Sequence, residues 1–273
     1  MTVFTSVKLK DENWEAYGVE HINNKPRVSS MPYLFDIAEG NVANHKPFYK
    51  VWYNWDVWDT EEDITTQWGS YYRIPEATYL EVISDNADDT REGTGVQEVM
   101  VTYLTEDYLE CYEIFYMDGT NAVRLEKRIL RVNSIRATQV WTGLVSAGTI
   151  DVRTVDGTNI VGSIAAGYTR DRWLTYTVPL GKTLYLTSVT VASWYTTAGK
   201  VVRWTARAQV DDTDNTVRIP FFMPFFETIT QDASLHVDFD MPIAIPATAD
   251  LKISATSDGA GSFCSASLRW RLE

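Results

Sequence analysis

From Tyr79 to Val191 the chain alternates apolar and polar residues in short runs, each closed by a turn built on Gly, Asp or Pro. The runs are Tyr79 to Ser84, Glu98 to Leu104, Leu109 to Met117, Ile129 to Ala137, Thr149 to Val155, Leu174 to Val178 and Thr183 to Ala192. A period of two puts one set of side chains on a buried face and the other in solvent, as a strand requires. Short strands at spacings of roughly 8–15 residues predict antiparallel sandwiches; a parallel sheet would need helical crossovers. No long window carries a convincing 3.6-residue period. The expected fold class is all-β, built of antiparallel β-sandwich units, the C-terminal one jelly-roll-like.

The pattern divides the chain into three. Residues 1–70 alternate little and carry an aromatic tract of Phe48, Tyr49, Trp52, Tyr53, Trp55, Trp58, Trp68, Tyr71 and Tyr72, the last two just past its end. Interleaved with it are Asp56, Asp59, Glu61, Glu62 and Asp63, and the spacing of Trp52, Trp58 and Asp59 to Thr65 is compatible with a short helix. Residues 71–172 read as a first sandwich unit and 173–273 as a second. The second contains the runs Thr183 to Trp194, Val201 to Val210, Leu235 to Phe239, Leu251 to Ala255 and Ser265 to Leu272. Pro220-Phe221-Phe222-Met223-Pro224-Phe225-Phe226 interrupts it, because two prolines so close do not fit a central strand. Asp118-Gly119-Thr120-Asn121 recurs as Asp156-Gly157-Thr158-Asn159, with a further pair at Asp258-Gly259. Asp-Gly between alternating runs predicts type I′ hairpins.

Composition narrows the class. With 45% hydrophobic and 22% charged residues the chain has enough apolar matter for packed cores, so disorder is excluded. No apolar run approaches the ~20 residues of a membrane helix. The net charge of −13 is uneven: residues 1–125 hold 23 acidic and 9 basic side chains, the remainder 14 and 15. Such an acidic half is repelled by phosphate backbones, which disfavours nucleic acid as a partner. The asymmetry has two readings: it serves solubility alone, or the acidic half faces water while the near-neutral half packs against a partner. Met1 to Lys10 show no basic stretch followed by an apolar one, so no secretory leader is expected. Cys111 and Cys264 are the only cysteines, which suits a reducing cytoplasm, and no disulfide is expected between them.

A search for chemistry finds little. His21, His45 and His236 lie far apart and outside any metal or triad spacing. His236 shares a strand face with Asp238, a pairing read as structural. No Gly-x-Ser-x-Gly elbow, phosphate loop or Gly-x-Gly-x-x-Gly occurs. Asp85 to Asp89 and Asp211 to Asn215 concentrate oxygen atoms of the kind Ca²⁺ takes, but neither fits an EF-hand, and Asx-rich turns form for backbone reasons alone. No catalytic residue, cofactor or metal site is assigned. The acidic-aromatic tract has three readings: a local core, a set of interface anchors, or a sugar-stacking platform with Glu61 and Glu62 as candidate glycosidase carboxylates. The interface candidates are Trp52, Trp55, Trp58, Phe221, Phe222, Phe225 and Phe226.

One series of segments resembles a known group. Ser84, Asp89-Thr90-Arg91-Glu92-Gly93-Thr94-Gly95 and Val99 to Leu104 open it. Met117-Asp118-Gly119-Thr120, Arg131-Val132-Asn133 and Ala147-Gly148-Thr149-Ile150 follow. Ile164 to Tyr168 and Tyr176 to Thr183 close it. In order and spacing these resemble structural proteins of tailed bacteriophages, marine ones especially. The resemblance covers about residues 84–190 and leaves the aromatic tract outside. It implies a non-enzymatic virion subunit, assembled in the host cytoplasm and working through many protein-protein contacts. The expected role is an accessory capsid-decoration or neck protein. Its expected partners are further copies of itself, in a ring or trimer, and major capsid or portal-region proteins, with no nucleic acid and no membrane. The alternative is a carbohydrate-binding, receptor-binding β-sandwich module of a virion or of a secreted-type enzyme.

Overall fold

The computed structural model describes residues 19–22, 25–28, 46–64, 72–172, 175–195, 200–210, 224–259 and 261–273. Among the described residues there are eighteen strands and no helix. Contacts divide the chain into two units, 1–47 with 272–273 and 48–271. In the first, β1 (Val19–Ile22) and β2 (Lys25–Val28) form an antiparallel hairpin.

The second unit holds two sandwiches. One is built from β5 (Thr78–Ser84), β6 (Val96–Leu104), β7 (Glu110–Tyr116), β8 (Val123–Ile129), β9 (Arg131–Val140), β10 (Ile150–Thr154) and β11 (Ile160–Ile164). Its sheets run β11-β10-β5-β8 and β7-β6-β9. Between them lies one core that includes Leu80, Val82, Val99, Val101, Ile135, Ile150 and Val152, the inward members of the alternating runs. Burying each such side chain is worth about 1.5–3 kcal/mol, which is what fixes the register.

The other sandwich is a jelly roll of β3 (Lys46–Val57), β12 (Thr175–Thr177), β13 (Leu184–Tyr195), β14 (Val202–Val210), β15 (Pro224–Thr230), β16 (Ser234–Ile245), β17 (Ala249–Ser257) and β18 (Ser262–Leu272). Its sheets run β16-β13-β18-β3 and β12-β17-β14-β15, with β4 (Glu62–Asp63) beside β17. Outermost strands pair first with last: β3 lies beside β18, β12 beside β17, β13 beside β16 and β14 beside β15. This nesting is a hairpin rolled up on itself, the defining topology of the jelly roll. The smaller sandwich is therefore inserted between the first and second jelly-roll strands.

Three local expectations change. The stretch from Trp52 to Thr65, whose spacing is compatible with a short helix, holds none over its described residues: Trp52 to Val57 belong to the long strand β3, Glu62–Asp63 form β4, and Thr65 lies outside the described residues. Trp52 and Trp58 are six apart, an even spacing that fits one strand face but lies about 120° off on a helix, and the aromatic and β-branched content also favours the strand. The Asp-Gly turns are not type I′. Only Gly119 (φ 60°) and Gly157 (φ 71°) take positive φ while their Asp partners do not, whereas type I′ needs both. Asp156 instead accepts the amide of Thr158 at 3.0 Å, an Asx turn. In the third turn the positive φ of 82° falls on Gly261. Pro224 begins β15, at the edge of its sheet, where a missing N–H costs no ladder bond.

Candidate assembly surface

Strand β3 decides which aromatics of the tract are available. Its even residues turn inward: Trp52 is 1% exposed, and Phe48 stacks on Trp270 at 5.8 Å. Of its odd residues Tyr49, Val51 and Trp55 are exposed, whereas Tyr53 and Val57 are buried. Neighbouring β18 contributes Phe263, and β13 beyond it contributes Trp194. Trp55 packs on Phe263 at 4.5 Å, and Trp194 meets the same ring edge-on at 6.4 Å. Trp55 is 60% exposed and Trp194 69%. Below them Tyr53 is buried, its ring 6.1 Å from Tyr168. Arg172 lies 4.7 Å from the Tyr53 ring and 3.9 Å from that of Tyr168. Burial pushes the Tyr53 hydroxyl up to about 12, and the Tyr168 hydroxyl adds to the rise.

Further along this sheet face Arg269 lies over Tyr49 at 5.7 Å and Arg271 over Tyr185 at 4.6 Å. The outward positions of β3, β18 and β13 are Tyr, Trp, Phe, Ser, Thr, Val, Ala, Pro and Arg, with no Asp, Glu or Lys. In a chain with 37 acidic residues, that composition matches the buried centre of protein interfaces, where Trp, Tyr and Arg are enriched and Lys, Glu and Asp depleted.

The acidic neighbours are committed elsewhere. Glu61 is held by the Arg207 guanidinium and the Ser254 hydroxyl. Burial alone would raise its carboxyl, yet those hydrogen bonds and the Arg207 charge hold it below the usual range. Glu62 accepts Asn54 Nδ2 at 3.1 Å and the Trp58 amide at 3.2 Å, so it braces the turn after β3. Asp63 accepts Lys252 Nζ at 3.0 Å. His236, cross-strand from Thr190, engages both ring nitrogens: Nδ1 with Thr190 Oγ1 at 2.7 Å and Nε2 with Asp238 at 3.1 Å. Sequence reasoning placed His236 beside Asp238; Thr190 was invisible to it, because cross-strand register is not written in either strand alone.

A polar junction fastens the inserted sandwich to the jelly roll. Asn133 of β9 and Thr177 of β12 exchange two hydrogen bonds of 2.8 Å. Lys50 donates to the Asn133 carbonyl and lies 3.7 Å from Asp171, both side chains largely buried. Burial drives both toward neutrality, Lys50 downward and Asp171 upward, with their mutual attraction opposing it.

The Asp85–Asp89 loop uses its own oxygens. Asp89, fully buried, accepts Ser84 Oγ (2.7 Å) and the amides of Val96 (2.8 Å), Ala147 (2.9 Å) and Gly148 (2.8 Å). Asp85 accepts the Thr149 amide at 2.8 Å, and Asn86 accepts that of Asp88 at 2.9 Å. The loop thus ties the β5–β6 turn to the segment before β10. Among the described residues no group of three or more His, Cys, Asp and Glu side chains is arranged to hold a metal ion. Asp211 to Asn215, His45, Phe221 and Phe222 lie outside the described residues. So does the Phe225 side chain, though its backbone belongs to β15; Phe226 is half-buried. Of the sequence-predicted anchors, Trp55 and Trp58 are exposed, and Trp194 joins them through strand order.

Neither a protein-family model nor a curated protein matches the chain. Among solved structures it is similar to that of infectious bursal disease virus Gt strain, at 8% identity and TM-score 0.19 over 89% of this chain and 77% of that one. The crystal structure of the infectious bursal disease virus VP2 subviral particle gives 9% identity and TM-score 0.20, over 89% and 77%. The T=1 particles derived from the same virus give 9%, 0.19, 88% and 78%. Superpositions at this level carry no weight for fold or function.

Proposed function

We propose that this chain is a non-enzymatic structural subunit of a tailed-bacteriophage virion, an accessory capsid-decoration or neck protein that works in multiple copies. The observation that carries the reading is an aromatic, arginine-bearing sheet face on a jelly roll that is hydrogen-bonded to a second sandwich, a surface suited to contact. Jelly rolls serve capsids, lectins and cupins alike, so fold by itself does not decide. Two further features support the choice. The series of segments resembling phage structural proteins spans the inserted sandwich and its return to the jelly roll. Glu61 and Glu62, the carboxylates a glycosidase reading would use, are engaged in bracing the fold. Assembly in the host cytoplasm, with capsid or portal-region proteins as further partners, belongs to the same proposal.

The test is recruitment. Purified protein mixed with empty heads and with neck-bearing particles co-sediments with one of them at micromolar concentration. Absence from both pellets overturns the reading. The exposed Trp55 and Trp194 keep a carbohydrate-binding reading in play; binding on a glycan array, lost in Trp55→Ala and joined to no particle binding, would favour it.

A further inference from the structure

The inserted sandwich carries a second exposed apolar surface. Its strand β7 forms the edge of the β7-β6-β9 sheet and alternates cleanly. Cys111 and Phe115 pack toward the core, while Tyr112 (66% exposed), Ile114 (49%) and Tyr116 (47%) face solvent. Leu109, at the head of the strand, is also exposed. Edge strands are usually blunted by Lys, Pro or a bulge, and β7 has none of these. Apart from Glu110 at its head, its one charged side chain is Glu113, which accepts the Tyr103 hydroxyl (2.5 Å) and the Glu126 amide (3.1 Å). That bond seals the sandwich seam and leaves the outer face open.

The turn before β7 and the first residue of the strand are acidic: Glu106, Asp107 and Glu110 are all exposed. Arg128 reaches Glu106 at 3.6 Å, a solvent-exposed pair that neutralises little. Arg91 covers the Tyr116 ring at 4.3 Å. The surface is thus apolar with an acidic head. The jelly-roll face described above is apolar with arginines, Arg269 and Arg271, along one end. The two patches are different, and the acidic head of one is opposite in charge to the arginine end of the other.

We infer that the β3-β18-β13 face of one copy docks on the β7 face of the next, so that this chain self-associates head to tail. The inference rests on the structural-subunit reading and names the partner and geometry it leaves open. Contact between two unlike patches is heterologous, and repeated it closes into a ring or runs on as a filament. Size is consistent with this. A standard interface buries about 800 Å² per partner. Four half-exposed large side chains supply roughly half of that at ~150–250 Å² per aromatic, leaving the Ser, Thr and Arg positions to form the polar rim.

Two full-length variants test it. Trp55→Ser with Trp194→Ser removes the jelly-roll face; Tyr112→Ser with Ile114→Ser removes the β7 face. All four side chains are exposed, so each variant should keep the wild-type circular dichroism and melting temperature. By sedimentation velocity, each variant alone associates about 30-fold more weakly than wild type or stays monomeric. Mixed one to one, they recover a dimer and nothing larger, because only one complementary pair of faces survives. Raising salt to ~1 M weakens the wild-type assembly, since the screening length drops to about 3 Å.

Association of both variants as strong as that of wild type overturns the inference while leaving the structural-subunit reading to the recruitment assay. A mixture that fails to pair overturns the head-to-tail geometry. Wild type that stays monomeric overturns the inference, and particle binding then decides the broader reading independently. Loss of glycan binding with unchanged self-association in the Trp variant assigns that face to a sugar and overturns the inference as well.

Discussion

Arg131 Nε lies 3.1 Å from Asp250 Oδ1, and this pair fastens β9 of the inserted sandwich to β17 of the jelly roll. The guanidinium is 1% exposed, and its Nη1 donates to the carbonyls of Ile74 (2.7 Å) and Leu130 (2.8 Å). Asp250 also receives Arg73 Nε at 2.5 Å and the Thr177 hydroxyl. One carboxylate therefore answers two arginines at the seam. With the Asn133–Thr177 exchange beside it, the seam is defined by directional bonds that apolar contact alone would leave free to slide.

Removing that carboxylate strands a buried cation. Asp250→Ala is expected to cost about 3–5 kcal/mol, the usual penalty for breaking a buried pair from one side. Arg131→Met should cost less, because it removes the buried charge and leaves Asp250 with Arg73 and Thr177. Urea unfolding of the two variants measures both. A loss below about 1 kcal/mol in Asp250→Ala would show that the junction contributes little to holding the sandwiches.

The Asp89 hub gives a second expectation. A Cβ on Gly95 would fall 2.2 Å from Asp89 Oδ1, and one on Gly148 would fall 2.1 Å from Asp85 Oδ1. Either Gly→Ala change must push a carboxylate off its backbone donors, at about 1–3 kcal/mol for the overpacking alone. Because both Asp89 oxygens already accept two bonds each, added Ca²⁺ has no vacant acceptor set to occupy. Millimolar Ca²⁺ should leave the melting temperature of wild type unchanged. A rise that saturates with Ca²⁺ concentration would mean that the loop rearranges around a cation.

Much of the fold was legible because period-two alternation is local. β5, β6, β7, β9, β10 and β13 each follow a run visible in the chain, and Gly119 and Gly157 mark turns by their positive φ. β8 was missed: Val123–Ile129 carries Arg124, Glu126, Lys127 and Arg128, and charges on a sheet-edge strand mask its alternation. The membership of β3 in the jelly roll was not legible at all. Its partner β18 lies some 200 residues away, and nothing in either strand names the other. The surface shows the same limit: Trp55 and Trp58 stood out by type, but Trp194 joins the platform only through the order β13-β18-β3.

Alkaline pH should expose two buried acids that the fold keeps protonated. Burial raises the Cys264 thiol above its ordinary 9.0, with the Glu62 charge adding to it, and raises the Tyr176 hydroxyl above its ordinary 10.0, with Glu110 adding to that. A raised folded value means that the unfolded chain releases its proton first. Stability is then complete below about pH 9 and falls as pH climbs through 9 and 10, by about 1.4 kcal/mol per pH unit for each group in its window. The Tyr176 hydroxyl is buried with no hydrogen-bond partner among the described residues, so Tyr176→Phe removes a desolvated donor as well as a titrating group. That variant should be more stable than wild type by about 1 kcal/mol at pH 8. Its melting temperature should also decline less steeply above about pH 10, the ordinary value of the tyrosine that the variant lacks. Equal slopes in wild type and Tyr176→Phe would place the hydroxyl in contact with solvent or a partner and remove the physical basis for its raised value.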